Sequence, residues 1–350
     1  MPEVFVVIMA GGRGARFWPR SRRHLPKQCL SIDGGETLIQ QTVSRMRPLA
    51  DGHHVLVITG NDMVDAITAQ LPTVPKANIL VEPQGRNTAP CVGLAAAEIA
   101  RRAGGDAVMV CLPADHVITD EAALLQSIEH AIAAAVQQHA LVTLGITPTH
   151  PETGYGYLEL GEPLNEAVSR VAQFREKPDH QTAEQYVRTG RYLWNAGMFV
   201  FAVQDILNAF EQHLPRSAAA LAQLIAQPDQ LETCWQQLDA ISIDYGIMER
   251  SDNILTVPCN PGWSDVGSWD AVAPLMPLHG HHRAVAQRVV SIDAEPCVVY
   301  APGKVVALVG VEDITVVDSP DALLIIKQGQ GQRVRDVVDE LEQGGRSPFT

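Results

Sequence analysis

The sequence predicts an α/β fold in which helices cover both faces of a mostly parallel sheet, followed by a small all-β domain. Two observations carry this. Through the first 150 residues, short apolar runs rich in β-branched residues alternate with longer stretches of helical periodicity, the pattern of a sheet buried on both sides. From Ala284 to Lys327 that alternation stops, and the β runs VVSI, CVVY, KVVALVG, ITVVD and ALLIIK follow one another with turns every eight to twelve residues.

Each element has a local reason. Val4 to Met9 (VFVVIM) is a strand that runs into a Gly-rich turn, and Thr37 to Met46 has apolar residues at helical spacing. Val55 to Thr59 is the next strand, with Asn61 placed to cap a helix through Leu71. Ile79 to Val81 is a short strand, Asn87 to Ala103 an Ala-rich helix, and Val108 to Leu112 a strand ending at Pro113-Ala114-Asp115-His116. A helix from Asp120 to Gln138 and a strand from Leu141 to Gly145 complete this half. Strands are expected at Tyr155 to Leu160, Val168 to Phe174 and Met198 to Val203, and helices over Gln204 to Leu238 broken at Pro215 and Pro228. Pro277 to His282 reads as a linker, and a last helix runs from Arg333 to Leu341. The domains are therefore expected at 1–280 and 281–350.

Composition narrows the function. Lys and Arg number 26 against 40 Asp and Glu, a formal charge of −14, which excludes a globally basic nucleic-acid-binding surface but permits a local basic site. No apolar run approaches the roughly 18 residues of a membrane span, and the N-terminus lacks the basic region of a signal peptide. The six cysteines form no CxxC pair and read as reduced thiols, so the expected location is the cytoplasm.

The basic site is visible in the sequence. Between Arg13 and Lys27 lie six of the 26 basic residues, and from Val4 to Ile32 there is no carboxylate. Gly11, Gly12 and Gly14 follow the first strand, where glycines let backbone N–H groups approach an oxyanion. A polyphosphate ligand fits this loop, against the plain alternative of a tight turn with a solvated basic face. It is neither a P-loop, since no Gly-Lys-Ser/Thr is present, nor a dinucleotide fingerprint, since Phe17 occupies the third glycine position. No Gly-x-Ser-x-Gly elbow exists. Asp115 follows a buried-looking strand and Asp265 lies between short polar residues, either as caps or as the one or two carboxylates that Mg²⁺ needs beside phosphate oxygens. Thr153 to Tyr157, Glu176-Lys177-Pro178 and Trp194 to Met198 combine polar and small residues suited to sugar hydroxyls, or simply to turns. The histidines at 53, 54, 279, 281 and 282 lack metal-ligand spacing and read as surface residues.

Seven blocks together resemble the sugar-1-phosphate nucleotidylyltransferases, and among them the mannose-1-phosphate guanylyltransferases. They are Ala10-Gly11-Gly12-x-Gly14-x-Arg16-x-Trp18-Pro19 through Pro26-Lys27-Gln28; Glu82-Pro83-x-Gly85-Arg86-Asn87-Thr88-Ala89-Pro90; Leu112 to His116; Phe174-x-Glu176-Lys177-Pro178; Trp194 to Met198; Ser242-Ile243-Asp244-Tyr245; and Trp263 to Trp269. Phe17 and Arg20 stand where Leu is common, and Arg175 where Val is common. The resemblance implies a Rossmann-like nucleotide-diphospho-sugar transferase domain with a left-handed β-helix-like tail. It implies transfer of GMP from GTP to mannose 1-phosphate, with Mg²⁺ held by Asp115 and Asp265, Arg16 on the leaving phosphates and Lys27 bridging the reacting ones. The nucleotide is expected on Ala10, Gly11, Gly12, Arg13 and Gly14, with Glu82, Arg86, Asn87 and Thr88 as polar readers. The sugar is expected on Gly154, Tyr155, Glu176, Asn195 and Gly197, with Lys177 on its phosphate. Many relatives continue into an isomerase domain, and with Thr350 the last residue that second activity is expected to be absent. Another sugar phosphate, such as a heptose or glucose 1-phosphate, and a non-catalytic regulatory paralogue are the competing readings. A hexapeptide acyltransferase is excluded because residues 284 to 330 allow only two or three coils. The β edges of the tail lead to the expectation of a homodimer.

Overall fold

The computed structural model describes residues 2–32, 34–345 and 349. The first part of the chain forms β1 (Val4–Met9), α1 (Leu38–Arg45), β2 (Val55–Gly60), α2 (Val64–Gln70), β3 (Ile79–Glu82), α3 (Thr88–Ala103), β4 (Val108–Pro113), a two-residue β5 (Val117–Ile118), α4 (Glu121–Gln138) and β6 (Leu141–Ile146). Then come β7 (Tyr157–Pro163), β8 (Ser169–Arg175), α5 (His180–Thr189), β9 (Tyr192–Ala202), α6 (Val203–His213), α7 (Pro215–Ala226), α8 (Leu231–Trp235), α9 (Ile243–Gly246), β10 (Ile254–Cys259), a two-residue β11 (Trp263–Ser264) and α10 (Trp269–Val272). The tail forms β12 (Leu278–His279), β13 (His282–Ile292), β14 (Val298–Val309), β15 (Ile314–Asp318), β16 (Leu323–Lys327) and α11 (Val334–Gln343).

Nine strands make one sheet in the order β3-β2-β1-β4-β9-β6-β10-β8-β7. Alternate residues of β1 enter opposite cores: Val6 and Ile8 pack with α1, α2 and α4, whereas Phe5 and Val7 pack with α3, α6 and α7. Burial on both faces is why these strands read as continuous apolar runs. The expectation of a mostly parallel sheet is met with two strands inverted: β3, β2, β1, β4, β6, β10 and β7 point one way, while β9 lies antiparallel between β4 and β6 and β8 antiparallel between β10 and β7. A buried strand shows the same apolar run in either direction, so the sequence pattern is blind to this difference.

Three local expectations also change. α2 starts at Val64 rather than from an Asn61 cap, because the Met63 N–H closes a turn onto the Gly60 carbonyl at 3.0 Å. β9 extends back to Tyr192 and absorbs the Trp194 to Met198 cluster, with Gly197 at φ 66° beside a register shift against β6. Residues 278–282 are not a linker but a hairpin turning through Gly280 (φ 65°). His282 is correspondingly buried, its Nδ1 accepting from the Cys297 N–H at 3.1 Å and its Nε2 paired with the Ser291 hydroxyl at 2.9 Å. Helix α5 and strand β10 have no counterpart in the sequence reading.

In the tail, β13, β14 and β15 run parallel in a β-helix-like arrangement, and β16 returns antiparallel. The tail packs on the Gly-rich loop region: Phe17, Trp18, Leu30 and Ile32 share one core with Trp269, Tyr300, Val317, Leu324 and Val334. All six cysteines are buried and unpaired. Among the described residues no helix is long and apolar enough to cross a membrane.

Candidate active site

The loop after β1 is shaped by a close approach. Gly14 has φ +68°, and a Cβ placed on it would lie 2.3 Å from the Cβ of Lys27. The Ser21 hydroxyl donates to the Gly14 carbonyl at 2.7 Å, and the Gln28 amide donates to the Ala10 carbonyl at 2.9 Å. The loop is thus folded back over the segment that carries Lys27. Gly14→Ala puts a side chain both into a left-handed backbone and onto Lys27, so a stability loss of about 1–3 kcal/mol is expected, together with a fall in turnover. Thermal denaturation and kcat of the purified variant check this; an unchanged Tm with full activity would show that the loop tolerates displacement.

Lys27 is 5% exposed, and its ammonium donates to Asp115 Oδ2 at 2.8 Å and to the Asp265 carbonyl at 2.7 Å. A two-stranded ribbon brings the two aspartates together. β5 pairs with β11, Val117 opposite Ser264, so that Asp115, just before β5, and Asp265, just after β11, flank the same ammonium. Burial alone would raise the Asp115 carboxyl, but the Lys27 ammonium outweighs it and holds the group below the usual carboxylate range. Burial also pushes the neighbouring His116 imidazole down to about 4, against the pull of the Asp115 charge. A neutral His116 fits its Nδ1 accepting from the Trp263 indole N–H at 3.0 Å.

Two hollows meet at His116 and Asp265. The first, about 510 Å³, is lined by Arg13, Gly14, Arg16, Arg22, Arg23, Lys27 and Asp115, with Arg335 and Glu342 of α11 on its far wall. Arg13 pairs with Asp62 at 2.9 Å, Arg22 with Asp321 at 2.8 Å and Arg23 with Glu342 at 2.7 Å. Arg16 is exposed and, among the described residues, has no ion-pair or hydrogen-bond partner. A hollow with this much positive charge, one cation of it uncommitted, is suited to a polyanion.

The second hollow, about 210 Å³, is lined by Gly154, Tyr155, Gly156, Glu176, Asn195, Gly197, Asp244 and Thr88. The Tyr155 hydroxyl donates to Asp265 Oδ1 at 2.7 Å and so ties the two hollows together. Its ring stands edge-on to Trp194 and Trp263, with centroids 5.2 Å away in each case. Lys177 reaches Glu176 at 2.7 Å. A Cβ on Gly156 would meet Glu176 Oε2 at 2.5 Å and so displace that carboxylate. Small polar groups around a narrow cavity suit a hydroxylated ring.

A family model described as nucleotidyl transferase matches residues 5–278. The chain belongs to the nucleotidyl transferase family. A second model, described as a mannose-phosphate isomerase/GMP-like beta-helix domain, matches residues 287–341. The chain is 38% identical over 361 residues to the xanthan biosynthesis protein XanB of Xanthomonas campestris, covering 100% of this chain and 76% of that protein. It is 37% identical to a mannose-1-phosphate guanylyltransferase of Salmonella muenchen, over 99% of this chain and 75% of that one. A crystal structure from Thermus thermophilus, described as a mannose-1-phosphate geranyltransferase, superposes with a TM-score of 0.90 at 36% identity, over 97% of this chain and 99% of its own.

The remaining residues of this nucleotidyl transferase that the sequence singled out divide into two sets. The Glu82 carboxylate lies beside Gly11, where Oε2 would be 3.7 Å from an added Cβ, and burial pushes it up to about 7. Arg86 is engaged elsewhere: it donates to the Leu238 carbonyl and to Gln236 Oε1, both at 2.9 Å. Asn87, at φ 73°, caps α3 through the Thr88 N–H at 2.9 Å. The Thr88 hydroxyl accepts from the Ile243 N–H at 2.9 Å and faces the second hollow, not the basic one. His116 and Asp244 are pocket residues that the sequence reading quoted within motifs without giving them a role.

The aspartates of this nucleotidyl transferase fit a magnesium ion in donor type. Asp115 Oδ1 and Asp265 Oδ2 accept no hydrogen bond from another residue among the described residues, while each partner oxygen is anchored. Two carboxylates beside a polyanion hollow leave the other positions to phosphate and water oxygens, as Mg²⁺ prefers.

Proposed function

We propose that this nucleotidyl transferase moves GMP from GTP to α-D-mannose 1-phosphate, giving GDP-mannose and pyrophosphate. One observation carries the reading: a basic hollow and a narrow polar hollow adjoin at Asp265 and His116, with Lys27 at the junction. The guanylyltransferase relative at 37% identity supports the choice of base and sugar. A phosphate oxygen of the sugar phosphate attacks the α-phosphorus of GTP, and the bond to the pyrophosphate oxygen breaks on the opposite side. No covalent enzyme intermediate is required, so catalysis is positioning and charge stabilisation. Lys27 holds the phosphates that exchange the GMP group, and Arg16 neutralises the departing pyrophosphate. Glu176, Asn195 and Tyr155 orient the sugar, and Lys177 its phosphate. Magnesium, held by Asp115 and Asp265, supplies Lewis-acid stabilisation of the phosphoryl charge.

Among the described residues Arg16 has no partner to lose, so Arg16→Ala leaves the fold intact and lowers turnover by roughly 10²–10³. Steady-state kinetics checks this, and near-normal turnover would remove Arg16 from the mechanism. The function itself is tested by pyrophosphate release with GTP, ATP, UTP or dTTP, each against mannose 1-phosphate and glucose 1-phosphate. Release confined to GTP with mannose 1-phosphate, abolished by EDTA, supports the reading. Release with another pair moves the substrate, and none from folded protein that binds GDP-mannose favours a regulatory paralogue.

We further infer a homodimer. Val305 and Val309 on β14 and Leu323 and Ile325 on β16 are each more than half exposed, apolar positions that a second copy would cover. Light scattering at working concentration checks it: the doubled mass is expected, and a monomeric mass refutes it. A GTP-dependent enzyme whose six cysteines are all unpaired belongs in the reducing cytoplasm.

A further inference from the structure

We propose that Asp244 contacts the sugar directly and, with Glu176, sets which hydroxyl pattern the second hollow accepts. The proposal rests on the sugar-phosphate reading of that hollow and assigns it a specificity-determining residue. Asp244 stands in the first turn of α9, whose cap is the Ser242 hydroxyl accepting from the Tyr245 N–H at 3.2 Å. Its Oδ1 accepts from the Asn195 amide at 2.9 Å, and the residue lines the hollow together with Glu176.

The orientation of Asn195 is settled by its neighbours. The Gly197 N–H can only donate, and it points at the Asn195 side-chain oxygen at 3.2 Å; the Thr143 hydroxyl, fully buried, donates to the same oxygen at 2.8 Å. The amide NH₂ is therefore the end that faces Asp244. Asn195 presents a donor and Asp244 an acceptor side by side, which is the pairing a sugar hydroxyl satisfies by accepting from one and donating to the other. Glu176, 8% exposed, has one oxygen committed to Lys177 at 2.7 Å. Burial and the Glu176 charge push Asp244 up to about 7, so in this cavity the carboxylates gain from neutral hydroxyl donors.

An acceptor matched to a hydroxyl discriminates against an analogue lacking it, because the acceptor is then left unpaired. The test compares wild type and Asp244→Asn with GTP and mannose 1-phosphate, glucose 1-phosphate and the 2-, 3- and 4-deoxy mannose 1-phosphates. Asn keeps the shape and can still accept from Asn195, so the fold is retained; melting temperature verifies this. The expected result is a rise of about 10- to 100-fold in KM for mannose 1-phosphate, with KM for GTP within about threefold of wild type. The preference for mannose 1-phosphate over one of the analogues falls at least tenfold. A purely structural Asp244 lowers all activities in proportion and leaves every preference unchanged, which overturns the proposal. Asp244→Glu is the second variant: it restores the charge in the wrong place, and recovery of the wild-type preference by it also overturns the proposal. Wild-type enzyme inactive with every manno-configured substrate would instead count against the sugar-phosphate reading itself.

Discussion

Lys27→Met is expected to lower kcat by at least about 10³-fold. The residue serves two partners at once, and the substitution injures both. Toward substrate, it removes the cation at the junction of the two hollows, a contribution of the kind worth about 10²–10³ for a single preorganised donor in a water-poor site. Toward the protein, it strands Asp115, whose Oδ2 takes the ammonium at 2.8 Å. The second injury has a distinct pH signature. With Lys27 present, the folded-state pKa of Asp115 is depressed, so its contribution to stability is present above the ordinary carboxylate range and fades as pH falls through the lowered value. With Met in place, burial is opposed only by His116 and a backbone hydrogen bond, and that pKa rises. The variant then loses stability relative to wild type as pH rises from about 4 to about 7. Melting temperatures of both proteins across that range should diverge toward neutral pH. A constant gap would mean that Asp115 does not depend on Lys27, and turnover within tenfold of wild type would place the essential cation elsewhere. Lys27→Arg is no rescue on these grounds, because a planar guanidinium cannot repeat the two bonds that the compact, buried ammonium makes to Asp115 Oδ2 and to the Asp265 carbonyl.

The parts of this site that were legible in the sequence are those whose chemistry is local. The basic Gly-rich loop announces itself because six cations and three glycines crowd a stretch without a carboxylate, and no distant residue is needed to see it. β1, β2 and β4 were legible for a similar reason: burial on both faces makes an apolar run that stands out from its neighbours. What was not legible is set by long-range pairing. β9 reads as polar and small around Asn195, and its place between β4 and β6 depends on partners 48 to 94 residues away. Arg86 looks like a polar reader of the nucleotide until the Leu238 carbonyl, 152 residues later, is seen to hold it. His282 looks like a turn histidine until Cys297 folds over it. Asp115 and Asp265 were singled out by their local context, but their meeting at one ammonium was not legible, because the β5–β11 ribbon that joins them has two residues on each side, too few for any periodicity to register.

Asp265→Asn is expected to cost roughly 10³–10⁴ in turnover with little change in stability, an effect of several kcal/mol on the barrier. The geometry explains why fold and function separate here. Asp265 Oδ1 accepts from the Tyr155 hydroxyl at 2.7 Å and from the Gly267 N–H at 3.1 Å, and an asparagine oxygen accepts both equally well. The backbone carbonyl that receives Lys27 is unaffected. What disappears is the negative charge and the second oxygen, the one that has no donor among the described residues. Tyr155→Phe supplies the contrast, since it keeps the charge and removes one hydrogen bond. Its expected cost is about tenfold, the worth of a single bond to a charged acceptor. If the two variants lose activity to the same degree, Asp265 acts by positioning Tyr155 rather than through its charge. Magnesium dependence separates the remaining possibilities. The Asn variant still has Asp115, so its activity should rise over a Mg²⁺ range where the wild type is already saturated. A variant whose Mg²⁺ midpoint matches wild type, at a thousandfold lower plateau, would assign the Asp265 charge to orienting Lys27 and the phosphates instead of to the ion.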